Sequence, residues 1–208
     1  MNKYLIILII FLPFFSFTQQ FNGGLLAGGL VSQVDGDTWQ GYHKFGFLAG
    51  GFVRLEISPA SAFQMEMQYI QKGSRHNVDS SNFYDQPYLL RLHYLEIPLL
   101  YQFSFGKRFS VEAGPAMDVL IGYYEEQDRI AYPPTEPVRT VTLSGILGAG
   151  CYITSNLKAT FRLNYSLMSL RSSSEPYPAS YRKIFFEYGQ YNNVLSLSLS
   201  WDFKLRKD

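Results

Sequence analysis

The sequence has 208 residues, which is enough for one domain with a closed core or barrel. Its net charge of +1 argues against a nucleic-acid-binding protein, because such proteins carry clustered Lys and Arg. Charged residues make up 17% of the chain and aromatic residues another 17%. Cys151 is the single cysteine, so the sequence excludes an internal disulfide and a cysteine-based zinc site.

The first 18 residues have the layout of an export signal. Lys3 supplies the positive start, and the apolar run from Tyr4 to Phe15 is shorter than the ~20 residues that a membrane-spanning helix needs. Small residues in the segment 16–18 predict cleavage before Gln19. We therefore expect a signal peptide at 1–18, and no cysteine follows it that would mark a lipoprotein.

The last segment shows strict alternation with a period of two, which predicts a strand with one apolar and one polar face. The apolar face comprises Leu195, Leu197, Leu199, Trp201 and Phe203. The polar face comprises Ser196, Ser198, Ser200, Asp202 and Lys204.

The same alternation predicts seven further strands, near 22–33, 45–57, 63–69, 88–104, 110–123, 141–153 and 157–167. The strand at 88–104 is ambiguous, because its phase places Arg91 and His93 on the apolar face. A bulge, or protrusion of the strand above the hydrocarbon, resolves this conflict. Pro98 also predicts a local irregularity there, since it cannot donate to a strand ladder.

The connections alternate in length, as in outer-membrane barrels with short periplasmic turns and long external loops. Short turns are expected near 58–61, 106–108 and 155–156, and long polar connections near 33–44, 74–87, 126–138 and 171–190. Aromatic residues then fall into two girdles at the membrane interfaces. One comprises Phe21, Phe63, Tyr101, Phe103, Phe109, Trp201 and Phe203, and the other Phe45, Tyr69, Tyr88, Tyr123, Tyr165 and Tyr191.

The polar faces decide between a soluble barrel and a membrane barrel. They carry ten charged residues together with several glycines: Arg54, Glu56, Glu66, Lys72, Glu96, Glu112, Asp118, Lys158, Arg162 and Asp202. In an eight-stranded barrel such residues fill a narrow interior as paired charges. We predict an all-β, eight-stranded antiparallel up-and-down transmembrane β-barrel of OmpA or OmpX size, spanning 19–208 with both termini in the periplasm. The ten charges favour an ion-paired plug, with a permeation path as the alternative.

Three motifs in order resemble the PorT-type outer-membrane β-barrel family. They are an acidic strand residue followed by Lys-Gly, Tyr-Leu-Glu-Ile-Pro, and Ala-Gly-Pro, found here at 66–73, 94–98 and 113–115. The resemblance covers essentially the whole mature chain. It implies an eight-stranded barrel in the outer membrane of a Gram-negative cell, and the family's founding member is associated with a secretion system for cell-surface proteins.

The sequence predicts no catalytic, cofactor-binding or metal site. His93 is a candidate for lipid chemistry because it lies near the outer-leaflet rim and close to Glu96 in sequence, but no nucleophile motif accompanies it. The segment 35–37, Asp-Gly-Asp, lacks the spaced ligands of a calcium loop and is interpreted as a polar turn. Four residues of the last loop are candidates for binding a partner or lipopolysaccharide phosphates: Tyr177, Tyr181, Arg182 and Lys183.

The function expected from these features is a non-enzymatic outer-membrane barrel with a structural, adhesive or complex-scaffolding role, linked to protein secretion or surface assembly through the resemblance. The alternatives are a lipid-modifying enzyme and a small channel. Expected partners are outer-membrane lipids, lipopolysaccharide and other outer-membrane proteins, with no nucleic acid.

Overall fold

The computed structural model describes residues 20–39, 41–77, 86–128, 130–131, 137–173, 181–184 and 187–203. The expected signal peptide at 1–18 lies outside these residues, so its boundary stays a prediction. Within the described ranges, no helix is long and apolar enough to cross a membrane.

Eight long strands form one closed antiparallel barrel, as the alternating sequence predicts. They are β1 (Gln20–Asp35), β2 (Lys44–Ser58), β3 (Ser61–His76), β4 (Tyr88–Phe105), β5 (Phe109–Gln127), β6 (Val141–Tyr152), β7 (Leu157–Ser166) and β8 (Tyr191–Asp202). Each strand pairs with the next in the chain, and β8 pairs back to β1, for example Ser198 with Gly28. Closure leaves no exposed edge among these strands.

The two ends of the barrel differ. At the turn end, short connections at 59–60, 106–108 and 153–156 join the strands. At the loop end, the connections are long, and the last of them carries a separate three-stranded sheet of Ser172–Ser173, Arg182–Ile184 and Glu187–Gly189. A further short strand, Ile130–Ala131, pairs with the end of β5. The alternation of the sequence does not predict these small strands.

The barrel is apolar outside and polar inside. Outward-facing Phe47, Leu197 and Trp201 are 53%, 60% and 52% exposed. Inward-facing Lys72 and Asp118 are fully buried. A soluble protein buries its apolar face and solvates its charges, so this arrangement is that of a barrel surrounded by lipid.

Strand β4 keeps a single phase, with Arg91 and His93 on the outer face. The irregularity lies in β5 instead, because the pairing shifts between His93 and Tyr94 and leaves Ile121 as an extra residue. The β3–β4 pairing is interrupted beside Pro98, which has no amide hydrogen to donate.

The turn-end girdle matches the sequence prediction, since all seven of its aromatic residues are exposed. At the loop end two assignments are wrong. Tyr88 packs against the apolar cluster inside the barrel. Tyr191 is buried and donates its hydroxyl to the backbone oxygen of Glu187. Tyr88 shares the inward phase of Leu90 on β4, and Tyr191 is directed towards the last connection, where its hydrogen-bond partner Glu187 lies.

Candidate functional site

The centre of the interior is a cluster of charges built from strands on opposite sides of the barrel. Arg162 on β7 donates to both carboxylate oxygens of Glu66 on β3, at 2.6 and 2.7 Å. Its Nε donates to Glu112 on β5 at 2.5 Å. Glu112 also pairs with Lys158 at 3.1 Å and accepts from Gln102 at 2.9 Å. Every carboxylate here therefore has a cation or amide donor, as burial requires.

A second cluster lies nearer the turn end. Arg54 pairs with Asp202 of the last strand, with 3.1 Å between Nη1 and Oδ1. Its Nε donates to Gln64 at 2.9 Å, and Gln64 donates in turn to Glu66 at 2.5 Å. The amide of Gln64 thus joins this pair to the central cluster.

A third cluster lies nearer the loop end. The ammonium of Lys72 sits between two carboxylates, 2.5 Å from Glu96 and 2.9 Å from Asp118. Glu96 also accepts from Gln68 at 2.6 Å and from Asn164 at 2.7 Å. All three charged groups are at most 1% exposed, so water does not replace these contacts.

The structure brings nine of the ten predicted interior charges into these three clusters, and leaves Glu56 out. Glu56 is exposed at the turn end and accepts a hydrogen bond from Asn22 at 2.7 Å. It shares the inward phase of β2, but it lies where the strand emerges from the barrel, so its carboxylate is solvated. The assignment of Glu56 to the buried network is therefore corrected.

The interior also holds an apolar plug that was not predicted from the sequence, and it extends from the level of Glu66, with which Phe52 pairs in register, towards the loop end. It comprises Leu26, Leu30, Val34, Leu48, Phe52, Ile70, Leu90, Leu92, Tyr94, Val138, Leu170 and Val194. A signal for it was present in β4, since an outward Arg91 and His93 require Leu90 and Leu92 to point inward. The interior is thus filled by both charged and apolar side chains, and the two kinds share the loop-end half, where the Lys72 ammonium lies 5.5 Å from the centre of the Tyr94 ring.

Ion pairs hold the long connections at the loop end of the barrel. Arg171 pairs with Glu125 of β5 at 2.6 Å. Glu187 accepts from the hydroxyl of Ser169 at 2.6 Å and pairs with Arg139 at 3.0 Å. The hydrogen bond from Ser169, helped by Arg139, lowers the pKa of Glu187 below its usual value.

The four candidate residues of the last loop do not form one surface. Tyr181 is buried, whereas Arg182 and Lys183 are exposed, and Lys183 lies over the ring of Tyr188 at 5.4 Å. Tyr177 lies outside the described residues.

His93 and Glu96 are not brought together. They are three residues apart on one strand, so His93 faces outward while Glu96 is buried in the interior. The Nδ1 of His93 instead lies 2.5 Å from the hydroxyl of Tyr69.

The Asp-Gly-Asp turn is held by hydrogen bonds. Asp35 accepts from the side chains of Tyr165 and Asn193 at 3.0 and 3.3 Å. Asp37 accepts from the backbone amide of Trp39 at 3.0 Å, and burial raises the pKa of Asp37 to about 6. Among the described residues, no three His, Cys, Asp or Glu side chains are grouped as metal ligands.

A closed eight-stranded barrel with an apolar wall and a charged interior defines a transmembrane β-barrel of the outer-membrane type. Residues 16–172 match the family described as outer membrane protein beta-barrel domain. The chain belongs to this family, and it is an outer-membrane β-barrel. The match does not reach the finer PorT-type assignment, which stays a prediction.

Solved structures with the same fold include two outer-membrane barrels. The attachment invasion locus protein Ail of Yersinia pestis has a TM-score of 0.51 and 12% identity, covering 88% of this chain and 98% of its own. Neisserial surface protein A has a TM-score of 0.51 and 12% identity, covering 88% of this chain and 97% of its own. At this identity the likeness establishes the fold alone. No curated protein matches the sequence.

Proposed function

We propose that this chain is a non-enzymatic outer-membrane barrel that serves as a closed anchor and acts through its loop end in adhesion or in scaffolding a surface complex. The observation that carries this proposal is the filled interior, where Arg162 joins Glu66 and Glu112 across the lumen and the apolar plug fills space beside them. An interior filled in this way leaves the loops and the outer wall as the surfaces that meet partners.

The loop end is proposed to face outside the cell, with both termini in the periplasm. Three short turns at one end and four long connections at the other support this orientation, since outer-membrane barrels are built with short periplasmic turns. The described chain also begins and ends at the turn end, where Gly24 pairs with Asp202.

An adhesive role is supported by the long connections and their exposed cations, Arg182 and Lys183. Ail, which is named for attachment and invasion, uses the same barrel fold. A link to protein secretion or surface assembly follows from the PorT-type motifs and belongs to the same proposal, because a closed barrel with structured loops suits a scaffolding subunit.

Planar-bilayer recording tests the closed anchor. The purified full-length barrel is expected to give no steady conductance, whereas a general porin reconstituted in the same way provides the open control. Stable unitary currents would contradict the closed-anchor proposal and support the alternative of a small channel. Two further measurements separate the two roles. Co-purification from native outer membranes after mild crosslinking indicates scaffolding if it yields a stoichiometric protein partner. Retention of intact cells on host-cell surfaces indicates adhesion.

A further inference from the structure

We propose that the outer wall at the loop end binds the phosphate group of lipid A through Lys44, Arg75 and Arg91. A cavity of about 470 Å³ lies there among the ends of β2, β3 and β4, and these three cations line it together with one carboxylate, Glu126. The inference rests on the proposed outward orientation of the loop end, and it names a lipid ligand for that end.

Within the described ranges, none of the three cations has an acidic partner. Arg75 and Arg91 are exposed on neighbouring strands, and neither guanidinium forms a hydrogen bond or ion pair with the described part of the chain. Lys44 is only 2% exposed, yet its ammonium contacts neutral oxygens alone, those of Phe45 at 3.2 Å and Gln71 at 3.5 Å. A buried ammonium without a counter-charge is costly, so this group of cations is stabilised by an anion.

Gly73 makes room for the side chain of Lys44. It lies opposite Arg91 in the β3–β4 register and has a φ of +135°, a conformation that favours glycine. The stem of Lys44 passes 3.2 Å from the position that a Cβ of Gly73 would take. The missing side chain thus lets the Lys44 ammonium reach Gln71 on the outer wall, beside Arg91.

The wall on the membrane side of the cavity is aromatic. Phe45 lines the cavity and is 78% exposed, and Phe47 below it packs 5.2 Å from the ring of Tyr69. Aromatic side chains on a barrel wall sit at the level of lipid headgroups. Cations above an aromatic wall suit a phosphate that is attached to acyl chains better than a free phosphate.

The charge balance favours the monoester phosphates of lipid A over a phosphodiester lipid. Three cations and the carboxylate of Glu126 leave a net charge of +2. A phosphate monoester carries about −1.5 to −2 charges, and arginine binds it with two parallel hydrogen bonds. A diester such as phosphatidylglycerol carries a single negative charge and would leave one cation uncompensated.

Native mass spectrometry of the full-length barrel released from detergent tests this site, using bis-phosphorylated lipid A, dephosphorylated lipid A, phosphatidylglycerol and inorganic phosphate as probes. The wild-type barrel is expected to retain bis-phosphorylated lipid A preferentially. Arg91→Ala is expected to weaken retention about tenfold, because a hydrogen bond to a charged group is lost. Arg75→Ala provides a second variant at the same site, and Arg108→Ala, in an exposed turn at the opposite end, is the matched control and is expected to bind like wild type.

Equal retention by Arg91→Ala, Arg75→Ala and wild type, with each variant showing the heat-modifiable band of a folded barrel, overturns the site. Equal retention of dephosphorylated lipid A overturns the role of phosphate, and competition by millimolar inorganic phosphate overturns a lipid ligand. Preference for phosphatidylglycerol that depends on Arg91 overturns the lipid A assignment and the outward orientation. The closed-anchor proposal fails independently, through conductance in bilayers.

Discussion

Arg162 and Glu66 meet across the middle of the barrel although 96 residues separate them in the sequence. The guanidinium donates two hydrogen bonds to the carboxylate, and its Nε holds Glu112 at the same time. Strands β3 and β7 lie on opposite sides of the barrel, so this contact ties the two halves of the wall together through the interior.

Replacing Arg162 with leucine is expected to destabilise the barrel by about 3–5 kcal/mol, because Glu66 and Glu112 then lose their shared cation inside the protein. Urea unfolding in detergent micelles, followed by intrinsic fluorescence, measures the change in unfolding free energy. Arg108→Ala, an exposed arginine of the same chain, should stay within about 0.5 kcal/mol of wild type. A loss below about 1 kcal/mol in Arg162→Leu would show that the central cluster does not hold the barrel.

Gly73→Ala is expected to destabilise the barrel by more than about 1 kcal/mol, since its φ of +135° disfavours a side chain and the new Cβ would lie 2.1 Å from the oxygen of Leu90. Gly29→Ala is the matched control, because nothing lies within 4 Å of a Cβ at that position on the outer wall. Thermal migration shifts on gels compare the two variants. Equal melting of both would contradict the steric argument.

The connection between β1 and β2 is expected to lose stability as the pH rises from 4 to 7. Burial raises the pKa of Asp37 from 3.8 to about 6, so the folded form holds the proton more tightly than the unfolded form. The stabilisation is complete below pH 3.8 and is lost as the pH rises through about 6. Hydrogen exchange of the peptide 36–43, corrected for intrinsic rates, should show protection falling over this range in wild type and staying constant in Asp37→Asn. Protection that grows with pH would reverse the sign of the argument.

His93→Ala is expected to leave the composition of outer-membrane lipids unchanged. The imidazole contacts the hydroxyl of Tyr69 on the outer wall, while Glu96 lies in the interior among Lys72, Gln68 and Asn164. These two groups therefore cannot act as a base and its orienting acid. Mass spectrometry of lipid A and phospholipids from cells carrying either form provides the measurement, and a modified lipid species that disappears with the substitution would restore the enzymatic alternative.

Much of the barrel was predictable because an amphipathic strand shows a local pattern in the sequence. Residues such as Leu197 and Ser198 alternate with the period of the pleat, and the short and long connections follow from where that alternation stops. The phase of the alternation also predicts which charged residues point into the barrel, including Lys158 and Arg162. The prediction for Glu56 was wrong because the phase gives only the direction of a side chain, and not its position along the barrel axis.

No comparable sequence pattern marks the small strands of the last connection or the cavity beside Arg91. A strand of two or three residues, such as Ser172–Ser173, is too short to show a period. The cavity depends on Gly73 and Lys44 from neighbouring strands, which the alternation of each strand alone does not relate.

The sequence by itself determined an outer-membrane barrel of eight amphipathic strands, the lipid-facing side of the strands whose alternation is strict, and which end carries the long connections. These properties depend on neighbours within one strand or one hairpin. Only the tertiary structure decided that Arg162 pairs with Glu66, that apolar and charged side chains share the loop-end half of the interior, and that Lys44, Arg75 and Arg91 line one cavity. Those contacts depend on the stagger with which β8 closes onto β1, and that stagger sets which residues from distant strands share a height inside the barrel.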